Sequence, residues 1–355
     1  MGERHTATRR HFLKTATAAT AAGLAWGGAI GRPRAAKNEI VFVGFGGTYQ
    51  EGQTKALFEP FEKETGIKIV QTTGVDIAKL RAQVQLKAVE WDLISIPDRL
   101  RYTAVKDGLL MPLDYKVITN AKEIQPAALV TEYAVGCVTI PMLLTYSTKT
   151  YPAGKAPVTW MDYWDAKKFP GPRGMYNAPT YILEFALIAD GVPKDKLYPL
   201  DVPRAFKSLD RVKHDVKVWW SQFPQPGVLL KSGEITMTPW TRSISFIMDG
   251  EPLGISYDGA ALTYEAWVVT RGAPNAENAM RFINWALQPK PQAELTKFVA
   301  FGPTNPKAIP LVDPKLRPLL SSDPENVKKG FLLSGDWWGP NLDKVNERWN
   351  EWRLA

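Results

Sequence analysis

The chain of 355 residues holds one cysteine, Cys137, and three histidines. A lone thiol excludes an intramolecular disulfide. Two of the histidines, His5 and His11, lie within the first 36 residues, so a zinc site of His/Cys type lacks ligands. His214 alone is left for a Ser-His-Asp or Cys-His pair. Its setting, RVKHDVK at 211–217, reads as a charged helix face. No Walker loop and no Gly-x-Gly-x-x-Gly occurs, and Gly44-Phe-Gly-Gly47 is too short to cradle a nucleotide. Low-complexity tracts and repeats of solenoid length are also missing. These absences predict no catalytic residue, no metal and no cofactor. A secreted enzyme working through Asp and Glu alone stays open as a reading.

The first residues read as an export signal. TRRHFLK at 8–14 is a twin-arginine pattern. A stretch rich in Ala, Thr and Gly follows at 15–30, too short and too weakly apolar to span a bilayer, and small residues end it near Ala36. Residues 1–36 carry six of the 44 basic and one of the 36 acidic residues, so the remaining chain is near +3 rather than +8. No long Lys/Arg run remains, and nucleic-acid binding finds no support.

The remaining length of about 320 residues suits two domains. β-rich runs at 39–44, 66–70 and 91–96 alternate with helical patterns at 53–65, 77–88 and 100–107. Such alternation predicts a parallel sheet covered by helices on both faces, with ligands at the loops after the strands, here 45–49 and 97–99. A long apolar run at 135–146, with Pro141 inside it, leaves this first unit. Helices are expected at 183–189, 205–220, 241–248, 275–287 and 289–299, and a strand at the end of 228–240. In the stretch 254–270, runs at 255–257 and 266–269 read as two short strands, with Asp258-Gly259 as a turn between them. Glu265 lies beside Tyr264 and near Trp267, a setting suited to a cation or a donor, and equally to a loop glutamate. Trp337, Trp338, Trp349 and Trp352 mark a packed end helix.

Several segments, in order, carry a resemblance: FEPFEKETGIKI at 58–69, WDLI at 91–94, DGLL at 107–110 with PLD at 112–114, VTWMDYW at 158–164, LKSGEI at 230–235, AMRFINW at 279–285 and GPTN at 302–305. Together they span essentially the whole chain after the signal. The chain resembles the periplasmic solute-binding proteins of ABC importers, specifically the spermidine/putrescine-binding branch. The resemblance implies an α/β, two-lobed periplasmic binding protein fold of type II, each lobe a mostly parallel sheet flanked by helices, with the ligand cleft between. Residues 37–143 and 263–310 would form one lobe and 144–262 the other, with 311–355 a helical segment packing on both. It implies a monomer that captures a small solute in the periplasm and delivers it to an inner-membrane ABC permease, after passage through the twin-arginine machinery.

Carried over position by position, Phe45, Thr48 and Tyr49 fall in the ligand loop after the first strand. Gly46 and Gly47 either approach the ligand through backbone or merely make the turn. Trp240 falls where a tryptophan stacks on the alkyl chain, unless it is core. Glu265 falls where a carboxylate holds an amine, with Tyr264 offering a π face. The second-lobe carboxylates of the family are replaced by Ala178, Pro179 and Tyr181. Asp98 and Arg99 stand where a serine and aromatics are usual, and Arg242 is an added cation. A polyamine-like, amine-bearing solute is therefore expected. An amino-acid-like or carboxylated solute held through Arg99 and Arg242 is the alternative, and a sugar held on tryptophans a further one.

Export by the twin-arginine route predicts that replacing Arg9→Lys and Arg10→Lys together leaves unprocessed precursor in the cytoplasm. Normal periplasmic amounts of the double variant, measured by cell fractionation, would exclude that route.

Overall fold

The computed structural model describes residues 38–126 and 129–355. The signal segment and its proposed cleavage point lie outside the described residues.

The first half is built as the sequence pattern predicts, with shifted ends. β1 (Glu39–Gly44) runs into α1 (Gly47–Gln53), a π-helical segment (Thr54–Phe58) and α2 (Glu59–Thr65). The helix thus starts at Gly47, six residues before the expected start at Gln53. β2 (Lys68–Thr73), α3 (Ile77–Gln85), β3 (Leu93–Pro97) and α4 (Asp98–Lys106) complete the alternating unit. β3 is buried along its whole length, as parallel strands covered on both faces must be.

β4 (Val135–Ser147) then leads to α5 (Trp160–Trp164), β5 (Arg173–Tyr176), α6 (Ile182–Ala189) and α7 (Val202–Val212). The helix expected over 205–220 ends at Val212. After a 3-10 turn, residues Val216–Trp220 form strand β6. The alternation Val216, Val218, Trp220 was the signal, and the lysines of 207–217 masked it with a helix-like charge pattern. α8 (Gln225–Ser232), β7 (Met237–Trp240) and α9 (Ser243–Met248) follow.

The two short strands expected in the stretch 254–270 are one strand, β8 (Leu253–Val269). Asp258-Gly259 is a bulge in it rather than a turn. On β4, Met142 and Leu144 pair with Ala261 and Ser256, so five steps on β8 match two on β4. Gly259 takes φ +67 there, and its carbonyl accepts the Trp160 indole N–H at 2.8 Å. A β-carbon on Gly259 would come within 2.9 Å of that indole ring. α10 (Ala276–Ala286), α11 (Pro289–Leu295), β9 (Gly302–Pro303), α12 (Pro324–Lys329), β10 (Phe331–Leu332) and α13 (Gly335–Leu354) close the chain.

The strand order is β2-β1-β3-β8-β4-β7-β5-β6. β1, β2 and β3 pair in parallel at one end, and β5, β6 and β7 in parallel at the other. The antiparallel pair β4/β8 joins the two groups. One large apolar core gathers around β1–β3 with α10, and a second gathers around β5–β7 with α5–α7 and α13. Residues Val135 and Val138 of β4 belong to the first core, and Met142 and Leu144 to the second. The fold is thus two lobes strung on two shared strands.

α13 docks on the second lobe through a buried acid. Glu184 of α6 is fully enclosed, and its Oε1 accepts from the Tyr198 hydroxyl at 2.7 Å and the Trp338 indole N–H at 2.6 Å. Burial pushes the Glu184 carboxyl from its ordinary 4.5 up to about 7, against the opposing pull of those two hydrogen bonds. A raised acid pKa stabilises the fold below 4.5, loses that stabilisation as pH climbs, and has lost it above about 7. The interval corresponds to on the order of 3 kcal/mol. Glu184→Gln keeps the acceptor and removes the titration. Melting curves at about pH 5 and about pH 8 should show a smaller drop for the variant, with Tm at the higher pH raised over the parent. An identical drop in both proteins would contradict this reading of Glu184.

Candidate functional site

The strand ends of the first lobe converge on one carboxylate. β1 ends at Gly44, beside Thr73 at the end of β2. β3 ends at Pro97, which pairs with Glu265 on β8, and Glu265 in turn faces Val138 on β4. Glu265 thus stands where the parallel sheet stops and the joining strands begin. Its residue is 9% exposed. Cys137 donates to the Glu265 backbone carbonyl at 3.3 Å, and the Tyr49 hydroxyl lies 4.0 Å from the Cys137 sulfur. Burial, with the Glu265 charge adding, raises the Cys137 thiol; burial, then the Cys137 and Glu265 charges, raises the Tyr49 hydroxyl. Both therefore stay neutral at ordinary pH, and the carboxylate at this spot has no anionic neighbour among them.

The loop after β1 is held rather than loose. Gly46 has φ +76 and Gly47 φ +60, values that suit glycine, and a β-carbon on Gly46 would press on Thr73 at 3.2 Å. The Gly46 N–H donates to Gln50 Oε1 at 3.0 Å, and Gln50 Nε2 donates to Gln71 at 3.1 Å. Gln50 is a positioning residue that the sequence pattern did not single out. Phe45 stands 45% exposed at this edge, Gly47 and Thr48 are exposed, and Tyr49 is buried against Phe301.

Asp98 and Tyr264, both expected at the ligand, are bonded to each other. Asp98 opens α4, and its Oδ1 accepts from the Tyr264 hydroxyl at 2.7 Å and from Arg101 Nε at 2.6 Å. Arg99 sits in α4, and its side chain lies outside the described residues.

The second lobe presents a cluster of aromatic rings at the ends of β5 and β6. Tyr176 at the end of β5 lies 4.7 Å from Trp220 at the end of β6 and 5.4 Å from Phe223, ring centre to ring centre. Tyr181 caps α6 with φ +73, a left-handed conformation that is uncommon for a side chain of this size. Its ring is 6.4 Å from Tyr176. Trp240, expected to stack on a ligand, is fully enclosed: its indole N–H donates to the Phe223 carbonyl at 2.7 Å and its ring meets Phe246 at 4.7 Å. Tyr176 and Phe223 were missed because the strand that presents their neighbour Trp220 was read as helix. Arg242 is half-buried at the start of α9 and forms no ion pair with any described residue. Trp240 pairs with Leu143, five positions along β4 from the partner of Glu265. At about 3.3 Å per residue, the two strand ends stand ~16 Å apart along β4.

His214 is exposed in the 3-10 turn after α7, with no ring nitrogen committed to another described side chain by hydrogen bond. Among the described residues, no cluster of three or more His, Cys, Asp or Glu side chains could hold a metal ion.

Known proteins share this architecture and sequence. Residues 56–326 match the bacterial extracellular solute-binding protein family. The gamma-aminobutyric acid-binding protein of Pseudomonas aeruginosa is 30% identical, over 93% of this chain and 94% of the relative. Spermidine/putrescine-binding periplasmic protein 1 of Haemophilus influenzae is 25% identical, over 86% and 85%. A crystal structure of an ABC transporter substrate-binding protein from Bradyrhizobium japonicum USDA 110 superposes with a TM-score of 0.84 at 37% identity, over 89% of this chain and 99% of that one. Two lobes on shared strands, the matched segments and these likenesses agree: the chain belongs to the bacterial extracellular solute-binding protein family.

Proposed function

We propose that this chain, as the substrate-binding component of an ABC importer, captures a small solute that carries both an ammonium and a carboxylate. Glu265 holds the ammonium, Arg242 pairs with the carboxylate, and the loop 45–49 with the aromatic rim of the second lobe encloses the short chain between them. The protein works in the periplasm as a monomer, reaches it by the twin-arginine route, and hands its solute to an inner-membrane permease. Twin-arginine export and the monomeric state rest on the sequence pattern and on the resemblance alone.

The observation that carries this reading is the place of the Glu265 carboxylate, buried opposite the end of β3 where the first lobe meets the joining strands. An ammonium meeting it in a cleft that excludes water gains far more than it would in solvent. Two further observations favour a zwitterion over a diamine. The segment after β5 offers Ala178, Pro179, Thr180 and Tyr181, with no carboxylate for a second amine. Arg242 is a cation with no described acidic partner. The Pseudomonas relative is named for a solute with one amine and one carboxylate, and the polyamine-binding relative is the more distant of the two in identity.

Titration calorimetry with gamma-aminobutyric acid, putrescine, glutamate and maltose tests the assignment. Gamma-aminobutyric acid should bind more tightly than putrescine. Glu265→Gln should weaken it by on the order of 2–5 kcal/mol, about thirtyfold or more. Its unliganded Tm should barely move. Arg242→Met should weaken gamma-aminobutyric acid and, by removing a like charge, tighten putrescine. Wild-type affinity in the Glu265→Gln protein would end the amine assignment. Tight putrescine binding without gamma-aminobutyric acid binding would end the carboxylate half.

A further inference from the structure

α13 touches both lobes, and the two contacts are unlike. On the second lobe it is embedded: Trp338, Val345 and Trp349 sit in that lobe's apolar core. Its indole N–H groups are bonded into the same lobe, Trp338 to Glu184 at 2.6 Å, Trp349 to Asn177 at 3.3 Å and Trp352 to Asp210 at 2.7 Å. On the first lobe it lies against α4, and the closest part of that contact is made by glycines. Gly335 and Gly339, four apart in α13, face Asp98 and Tyr102, four apart in α4. A methyl group on Gly335 would fall on the Asp98 carboxylate, and one on Gly339 would clash with the base of the Tyr102 ring. Glycine within a helix costs conformational entropy, and here its effect is to let two backbones approach. An ionic contact adds to this: Arg101, paired with Asp98, also reaches Asp336 of α13 at 3.4 Å.

We propose that this glycine-faced contact between α4 and α13 is a latch between the lobes, made when they close and parted when they open, with α13 travelling on the second lobe. The idea rests on the reading of the chain as a two-lobed solute binder. It follows from the asymmetry of the contacts. Opening must break one of them, and only the α4 face can part without exposing buried tryptophans to water. Asp98 stands at the junction. It holds the Tyr264 hydroxyl, next to Glu265 in sequence, on one side, and backs onto Gly335 on the other. A ligand seated at Glu265 is thereby one residue away from the latch. Hinged closure of this kind is a recurring device in two-domain binders.

Spin labels at Lys63→Cys and Lys207→Cys, exposed positions on the first and second lobes, read the separation by pulsed dipolar spectroscopy. Cys137 is buried and stays unlabelled. In ligand-free protein, Gly339→Ala should raise the ratio of long to short separations about tenfold. Adding Tyr102→Gly to that variant gives back the room and should restore the short separation. An unchanged distance distribution in folded Gly339→Ala protein overturns the latch. Should that variant not fold, the pair Tyr102→Cys with Gly339→Cys decides. The oxidised pair should hold the short separation, and reduction should release it. A pair that does not oxidise, or an oxidised pair that still reaches the long separation, also overturns the latch. These distances need no ligand, so failure of gamma-aminobutyric acid to bind would count against the proposed ligand and leave the latch to its own measurement.

Discussion

The antiparallel pairing of β4 with β8 is the constraint on which the rest depends. These are the strands common to both lobes, and each contributes side chains to more than one core. Their register sets where one parallel group of strands stops and the other begins. It also places Glu265 opposite Pro97 at one strand end and Leu143 opposite Trp240 at the other. The bulge at 257–260 takes up extra residues on β8 midway along the pair, which is where a strand passing from one sheet to another has to bend. Trp160 reinforces that bend by donating to the bulged carbonyl of Gly259. A site between lobes built this way is made of strand ends, and strand ends are fixed by backbone hydrogen bonds rather than by mobile loops.

The elements with a clean period were legible in the sequence. The βα alternation of the first half, the α8–turn–β7 passage through Gly233 and the amphipathic α10 came out in order, with ends moved by a few residues. What failed did so for identifiable reasons. Asp258-Gly259 has strong turn chemistry, yet β4 supplies a continuous partner on both sides of it, so tertiary pairing overrides the local preference and leaves a bulge. Val216–Trp220 alternates correctly for a strand, but it follows a helix with Arg204, Lys207 and Arg211 at helical spacing and two further lysines, and the charge pattern hid the change of period. Neither error could be repaired from propensity alone, because in both the deciding term is pairing with a strand far away in the chain.

The candidate site was legible in position more than in role. Strand ends identify the loop 45–49, Asp98 and Glu265 as neighbours, since their strands are adjacent. Which of these side chains faces a cleft is a matter of local bonding that the sequence does not display. Asp98 accepts from Tyr264 and Arg101, and so serves the joint between α4 and α13. Trp240 has its ring under Gly227 and Phe246 and its N–H on Phe223, so its bulk goes into packing. Gln50 has no motif at all, and its role is visible only in the hydrogen bond it accepts from Gly46.

Charge balance gives the last step in favour of a zwitterion. Closing two lobes removes water, and every ion left in the cleft must then find a partner or become costly. A diamine at this site would pair one ammonium with Glu265 and bring the other to a second lobe that has no carboxylate after β5 and has Arg242 near the end of β7. The second ammonium would be desolvated beside a like charge. Under the proposed reading, a solute with one ammonium and one carboxylate would meet Glu265 and Arg242 in complementary sense and would add no net charge to the cleft.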